Sequence, residues 1–139
     1  MPGRRRGDVP DTVCLDVPRD AGFLPLLHLV LGGIALRRSF SFDDLDDLQL
    51  AVDNILAEDM PAGGTLSMAV TVSHDAMSVS LEPLRNADLR TTLAQGQVPA
   101  GAEGRCIEIC ILLRSLVDEY LLSDLGDGTF AVELRKLAG

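Results

Sequence analysis

Two stretches of this chain alternate apolar and polar residues, and others repeat their apolar residues every three or four positions. Thr65-Leu-Ser-Met-Ala-Val-Thr-Val-Ser73 puts Leu66, Met68, Val70 and Val72 on one face. Ala76 to Glu82 does the same with Met77, Val79 and Leu81. Period two predicts half-buried strands, and His74-Asp75 between them turns the chain into an antiparallel hairpin. His74 is read as a turn residue. Val13 to Val17 partly alternates before Pro18 and predicts a first strand. Tyr120 to Asp124 and Thr129 to Arg135, joined through Gly126-Asp127-Gly128, predict a second hairpin.

Helical spacing covers three further segments. From Ala21 to Arg38, Leu26, Leu27, Val30, Leu31, Ile34 and Ala35 follow it, while Leu29 and Leu36 fill the opposite side. A helix apolar nearly all round is buried on more than one face. One such face is expected at a partner or a second copy of the chain, through Leu27, Val30 and Leu31. Pro25 falls in the first turn, where its missing N–H matters least. Gly32-Gly33 in mid-helix costs about 1 kcal/mol each relative to Ala, which points to close packing against a neighbour.

The segment from Ser41 to Glu58 has the clearest start. Ser41 is the N-cap, Asp44 completes a capping-box-like pair, and Phe40 staples onto Leu45. Asp43, Asp44, Asp46 and Asp47 put negative charge at the positive end of the helix dipole. Leu45, Leu48, Val52, Ile55 and Leu56 form the buried stripe, and Pro61 to Gly64 end the element. Between Pro83 and Gly104 the chain is polar, with a short helical stretch at Ala87 to Ala94. Cys106 to Leu116 is an apolar helix.

The order β-α-α-β-β-loop-α-β-β predicts an α+β fold. It is a two-layer sandwich, a mostly antiparallel mixed sheet with helices on one face. Residues 1–11 read as a flexible N-terminal tail, and residues 12–139 as a single domain.

Composition narrows the function. The chain has 139 residues, 47% of them hydrophobic, and a net charge of −9. That balance argues against nucleic acid, whose binders need a basic face. The one basic run, Arg4-Arg5-Arg6, reads as a solvated tail. Of 12 basic residues only Lys136 is a lysine, which suggests a genome rich in G and C, as in actinobacteria. Asp8 and Asp11 follow the arginines where a secretory signal would turn apolar. The apolar run from Leu24 to Leu36 is too short to span a bilayer. A soluble cytoplasmic protein without membrane contact is expected. Cys14, Cys106 and Cys110 give no disulfide framework. Cys106 and Cys110 lie one helical turn apart and read as buried structural thiols, with no metal site.

The element order, together with three segments, resembles the histidine kinase/gyrase-type (GHKL) ATP-binding fold, in the small form used by anti-sigma-factor serine kinases. Those segments are Phe40 to Val52, Leu113-Arg-Ser-Leu-Val-Asp-Glu-Tyr120, and Gly128-Thr-Phe-Ala-Val-Glu-Leu-Arg-Lys136. The resemblance implies a Glu that activates the attacking hydroxyl and, four residues later, an Asn that holds magnesium. Alignment through Leu50-Ala51-Val52 puts Asn54 at the first position and Glu58 at the second. An amide takes no proton, so general-base catalysis fails at Asn54. The family's Asp-x-Gly-x-Gly contacts adenine; here Glu82-Pro-Leu-Arg-Asn-Ala87 stands in its place. The family's Gly-x-Gly brings backbone N–H groups to phosphate. Here Ile107-Glu-Ile109 occupies the aligned position, with Gly101 and Gly104 upstream.

The resemblance therefore implies an anti-sigma-factor-like regulator that binds proteins in a partner-switching network and carries no kinase activity. Its expected partners are a sigma factor or an anti-sigma-factor antagonist, and a second copy in a homodimer. Leu27, Val30, Leu31, Asp43, Asp44 and Asp47 are the contact candidates. No cofactor is expected, and Asn54, Glu58 and Glu82 stand as vestiges of a nucleotide site. The alternative is an active ATP-dependent serine kinase of an antagonist protein, with Glu58 on magnesium and Asp53 as base. A third reading is a structural or regulatory domain of the same sandwich class without a sigma connection.

Overall fold

A computed structural model describes residues 11–37, 40–59, 64–96 and 107–138. Strand β1 is Asp11–Pro18, a 3-10 turn covers Ala21–Phe23, and helices α1 (Leu24–Arg37) and α2 (Phe42–Glu58) follow. Next come strands β2 (Thr65–Val72) and β3 (Ala76–Leu84), and helices α3 (Ala87–Gly96) and α4 (Ile107–Leu116). Strands β4 (Glu119–Gly126) and β5 (Thr129–Leu137) close the described chain. The Arg4-Arg5-Arg6 run, Arg38, Pro61, Gly101, Gly104 and Cys106 lie outside the described residues.

The sheet has the order β1-β2-β3-β5-β4, and every pairing in it is antiparallel. The mixed component expected from the sequence has no parallel pair among the described strands. Register explains the two faces. Val70 stands opposite both Val13 and Val79, and Val79 opposite Leu134, so the apolar set of each strand lines one side. The helices cover that side in the spatial order α1, α2, α4, α3. Phe130, Leu48, Ile55, Met68, Leu81 and Leu113 are among its fully buried side chains.

The uncovered face is polar. Thr12 and Thr71 meet across β1 and β2 at 3.1 Å, and Ser67 donates to Asp16 at 2.6 Å. Alternation of this kind lets an antiparallel sheet keep one face in water.

Helix α1 departs from its expected all-round burial. Leu27, Leu31, Ile34 and Ala35 face the core, whereas Leu26, Leu29 and Leu36 are exposed. Leu27 and Leu31 are thus corrected from partner contacts to core residues. A helix lying flat on a sheet buries one stripe, and theirs is the stripe that meets the strands. Val30 is half-buried against the same cluster. A methyl group at Gly32 would meet Leu45 Cδ2 at 3.8 Å, and one at Gly33 would meet nothing within 4 Å. Among the described residues, packing requires neither glycine.

The start of α2 follows its sequence signals. Ser41 Oγ accepts from the Asp44 backbone N–H at 3.1 Å, and Phe40 and Leu45 both pack against the core. In the β4–β5 hairpin, Asp127 and Gly128 have φ of 55° and 77°. Both central residues are left-handed, as a two-residue turn that matches strand twist demands.

Candidate functional site

Helix α2 carries the candidate site, and its neighbours decide which residues meet there. Asp47 and Asn54 lie on the side of α2 turned toward α4, along a shared stripe with Glu58. Asp47 is half-buried and accepts from Lys136 Nζ at 2.9 Å. The same ammonium donates to Leu116 O at 2.9 Å, so Lys136 ties α2 and the end of α4 to β5. Asp47, expected on a partner surface, is engaged inside the fold.

Asn54 Nδ2 donates to Leu50 O, one turn back in its own helix, at 2.8 Å. Glu58 ends the helix with an exposed side chain, and its carbonyl accepts from Asn86 Nδ2 at 2.8 Å. Glu82 is placed elsewhere. It is an exposed residue on β3 opposite Ser67, on the uncovered face of the sheet. The sheet therefore stands between Glu82 and the helix that carries Asn54 and Glu58. Ile109, in the first turn of α4, is half-buried against the core.

The most constrained polar group is Asp59, which the sequence reading did not single out. It is the one charged residue among the described buried side chains. Asp59 Oδ2 pairs with Arg19 Nη2 at 2.8 Å, and the same nitrogen donates to the Asp59 carbonyl. Asp59 Oδ1 accepts from the backbone N–H groups of Arg85 and Asn86, at 2.7 and 2.5 Å. Asn86 Oδ1 in turn accepts from Leu89 N at 3.0 Å and caps α3. The end of α2 is thus stitched to the segment after β1 and to the β3–α3 junction. An Asp just past a helix, with an Asn at the next helix start, was the only signal for this in the sequence.

Asp53 faces the other way. Its Oδ1 lies 2.7 Å from His28 Nε2 on α1. Five residues separate Asp53 from Glu58, which is about 140° around a helix. The structure does not bring these two carboxylates together.

The outward side of α1 and the start of α2 carry exposed apolar and acidic side chains. Leu29, Leu36 and Phe42 are exposed by 72%, 75% and 79%, with Asp43 and Asp46 exposed beside them on α2. Asp44 is half-buried behind the N-cap. Phe42 and the two outward leucines were not among the expected contacts, although Leu29 and Leu36 already broke the helical pattern.

Two cavities flank these elements. One, of about 230 Å³, opens between the end of β1, the start of α1 and α2. The other, of about 310 Å³, lies among Gly96, Arg114 and Tyr120. Neither is lined by Asn54, Glu58 or Glu82. Among the described residues no cluster of His, Cys, Asp and Glu has the grouping of a metal site. Cys110 is buried with Sγ 3.3 Å from Thr92 O, and Cys14 is exposed on the edge strand β1. No helix among the described residues is long and apolar enough to cross a membrane.

Fold and site together define an α+β two-layer sandwich whose helix α2 carries the Asn54 amide on the flank turned toward α4. The chain is similar to the serine-protein kinase RsbW of Halalkalibacterium halodurans, at 28% identity over 74 residues. That stretch is 50% of this chain and 46% of the relative, so the match spans about half of each. It agrees with the kinase family that the sequence resembles. No family model matches the chain.

Proposed function

We propose that this chain is an anti-sigma-factor-like regulatory protein that binds other proteins in a partner-switching network controlling transcription, and that it transfers no phosphate. The observation that carries this reading is Asn54, whose amide is spent on Leu50 O at 2.8 Å. A general base must accept the proton of the attacking hydroxyl, and a neutral amide has no pKa suited to that. The neighbourhood supports the same reading. Asn86 and Asp59 tie the end of α2 to the β3–α3 junction, and Glu82 points away.

The surface left for function is the outward stripe Leu26, Leu29 and Leu36 of α1, with Phe42 and Asp43 at the start of α2. An exposed apolar patch rimmed by charge marks an interaction site. A sigma factor, which binds DNA, has basic surface that an acidic protein steers in. The test is paired. Each sigma factor and each antagonist of the host is titrated against the purified chain, and ATP with magnesium is titrated calorimetrically. One partner is expected to bind, and ATP is expected to give no heat. Phosphate transfer to an antagonist serine would overturn the reading, as would the absence of binding to every candidate.

The second reading, an ATP-dependent serine kinase, is favoured by the similarity to a serine-protein kinase. It needs Glu58 on magnesium and Asp53 as base. The 2.7 Å pairing of Asp53 with His28, on the opposite flank of α2, weighs against that arrangement.

A further inference from the structure

The cleft on the α1 flank of α2 has a chemistry of its own. Its walls are aliphatic and aromatic: Val17, Phe23, Leu24, Leu27, Leu56 and Leu66 all contribute. Three charged residues share the lining, namely Arg19, Asp20 and Asp53. Arg19 is neutralised in place, because its guanidinium is paired with buried Asp59 at 2.8 Å. Asp20 Oδ1 accepts from Gly22 N at 3.0 Å, which orients the carboxylate without cancelling its charge. Asp53 Oδ1 meets His28 Nε2 at 2.7 Å, and His28 itself is not part of the lining. Each carboxylate keeps its Oδ2 without a protein partner among the described residues.

The result is an apolar cleft whose lining carries two carboxylates and no unspent positive side chain. We propose that it binds a small amphiphilic organic cation, an apolar body of a few carbons bearing an ammonium group. Volume sets the size of the body, since about 230 Å³ falls below the roughly 300 Å³ at which drug-sized pockets begin. Charge sets the head group. An anion would meet Asp20 and Asp53 without a free cation to offset them. A neutral alcohol would gain the apolar wall alone. The site lies on the opposite flank of α2 from Glu58 and does not depend on the partner-binding reading.

The probe is hexylammonium chloride, titrated into isotope-labelled full chain at constant ionic strength and followed by amide chemical shifts. Sodium hexanoate and hexanol are the comparators. Saturable shifts are expected at Leu27, Leu56 and Leu66, with hexylammonium binding about tenfold more tightly than hexanoate, as two like charges at the lining would impose. Asp20→Asn and Asp53→Asn each weaken hexylammonium by about fivefold and leave hexanol unchanged. Ala57→Trp, at an exposed position in the lining, blocks all three probes. Equal binding of hexanoate and hexylammonium overturns the proposal, and so does the absence of any saturable shift. If Asp53→Asn does not fold because His28 loses its partner, Asp20→Asn decides, since Asn keeps the acceptor for Gly22.

Discussion

Arg19 closes on Asp59 at 2.8 Å across forty positions of sequence, and the carboxylate it meets has no solvent exposure. Four hydrogen bonds converge on that residue: the guanidinium donates to Oδ2 and to the carbonyl, and two backbone N–H groups donate to Oδ1. Removing one partner of a buried pair strands the other charge, at a cost of about 3–5 kcal/mol. Asp59→Ala is therefore expected to lower unfolding stability by about that amount in a urea titration. Arg19→Ala should approach the same loss, and the double variant should lose less than the sum of the two. Additive losses would show that the pair is not coupled.

Gly96 has the opposite character from Gly33. A Cβ at Gly96 would collide with Cys110 Sγ and lie 2.6 Å from the Tyr120 hydroxyl, which itself donates to Leu93 O at 2.7 Å. Gly96→Ala is expected to cost about 1–3 kcal/mol through overpacking. Gly33→Ala, with nothing within 4 Å of the new methyl group, is expected to gain about 1 kcal/mol from helix propensity. Thermal unfolding of the two variants gives shifts of opposite sign.

If the proposed partner docks on the outward face of α1, substitutions there separate binding from stability. Leu29 and Leu36 are 72% and 75% exposed, so Leu29→Asp and Leu36→Asp should change unfolding stability by no more than about 0.5 kcal/mol. Each should weaken the partner complex by tenfold or more, by placing a charge in an apolar contact. Leu31→Asp, at a core position, is expected to unfold the chain outright. Unchanged partner affinity in both surface variants would move the interface off α1.

Asp75 carries the pH signature. Ser73 Oγ donates to its Oδ1 at 2.9 Å and holds the carboxyl below its ordinary value of 3.8, against the opposing pull of desolvation and with the His74 and Arg135 charges adding to the lowering. A carboxylate depressed in the folded state stabilises it fully above the unfolded value. That contribution is lost as pH falls through the lower folded value. Carbon-detected titration of Asp75 should show the depressed midpoint, and Ser73→Ala should return it toward 3.8.

Much of the architecture was legible in local pattern. Period two at Leu66, Met68, Val70 and Val72 marked a strand with one buried face, and all four are buried. Ser41 and Asp44 marked the start of α2 because capping is a matter of a few adjacent residues. Asp127-Gly128 marked a tight turn for the same reason. The candidate site was less legible. Asn54 and Glu58 were found by position, and Asn54 bonds within its own helix, but the partners of Glu58 and Asp47 lie far away in sequence. Asn86 reaches Glu58 O across 28 positions and Lys136 reaches Asp47 across 89.

Sequence by itself determined the elements, the caps, the inward set of each strand and the neutral amide at residue 54. Each of these depends on spacing along one segment or on the chemistry of a single side chain. Tertiary structure decided which face of an apolar helix is buried. It put Leu27 and Leu31 against the sheet and left Leu29 and Leu36 outside, a choice fixed by what α1 packs on. It also decided that Glu82 and Glu58 stand on different sides of the sheet, and that Asp59 is the buried junction of three segments. Such relations depend on strand register and on contacts between distant segments, and no local pattern encodes them.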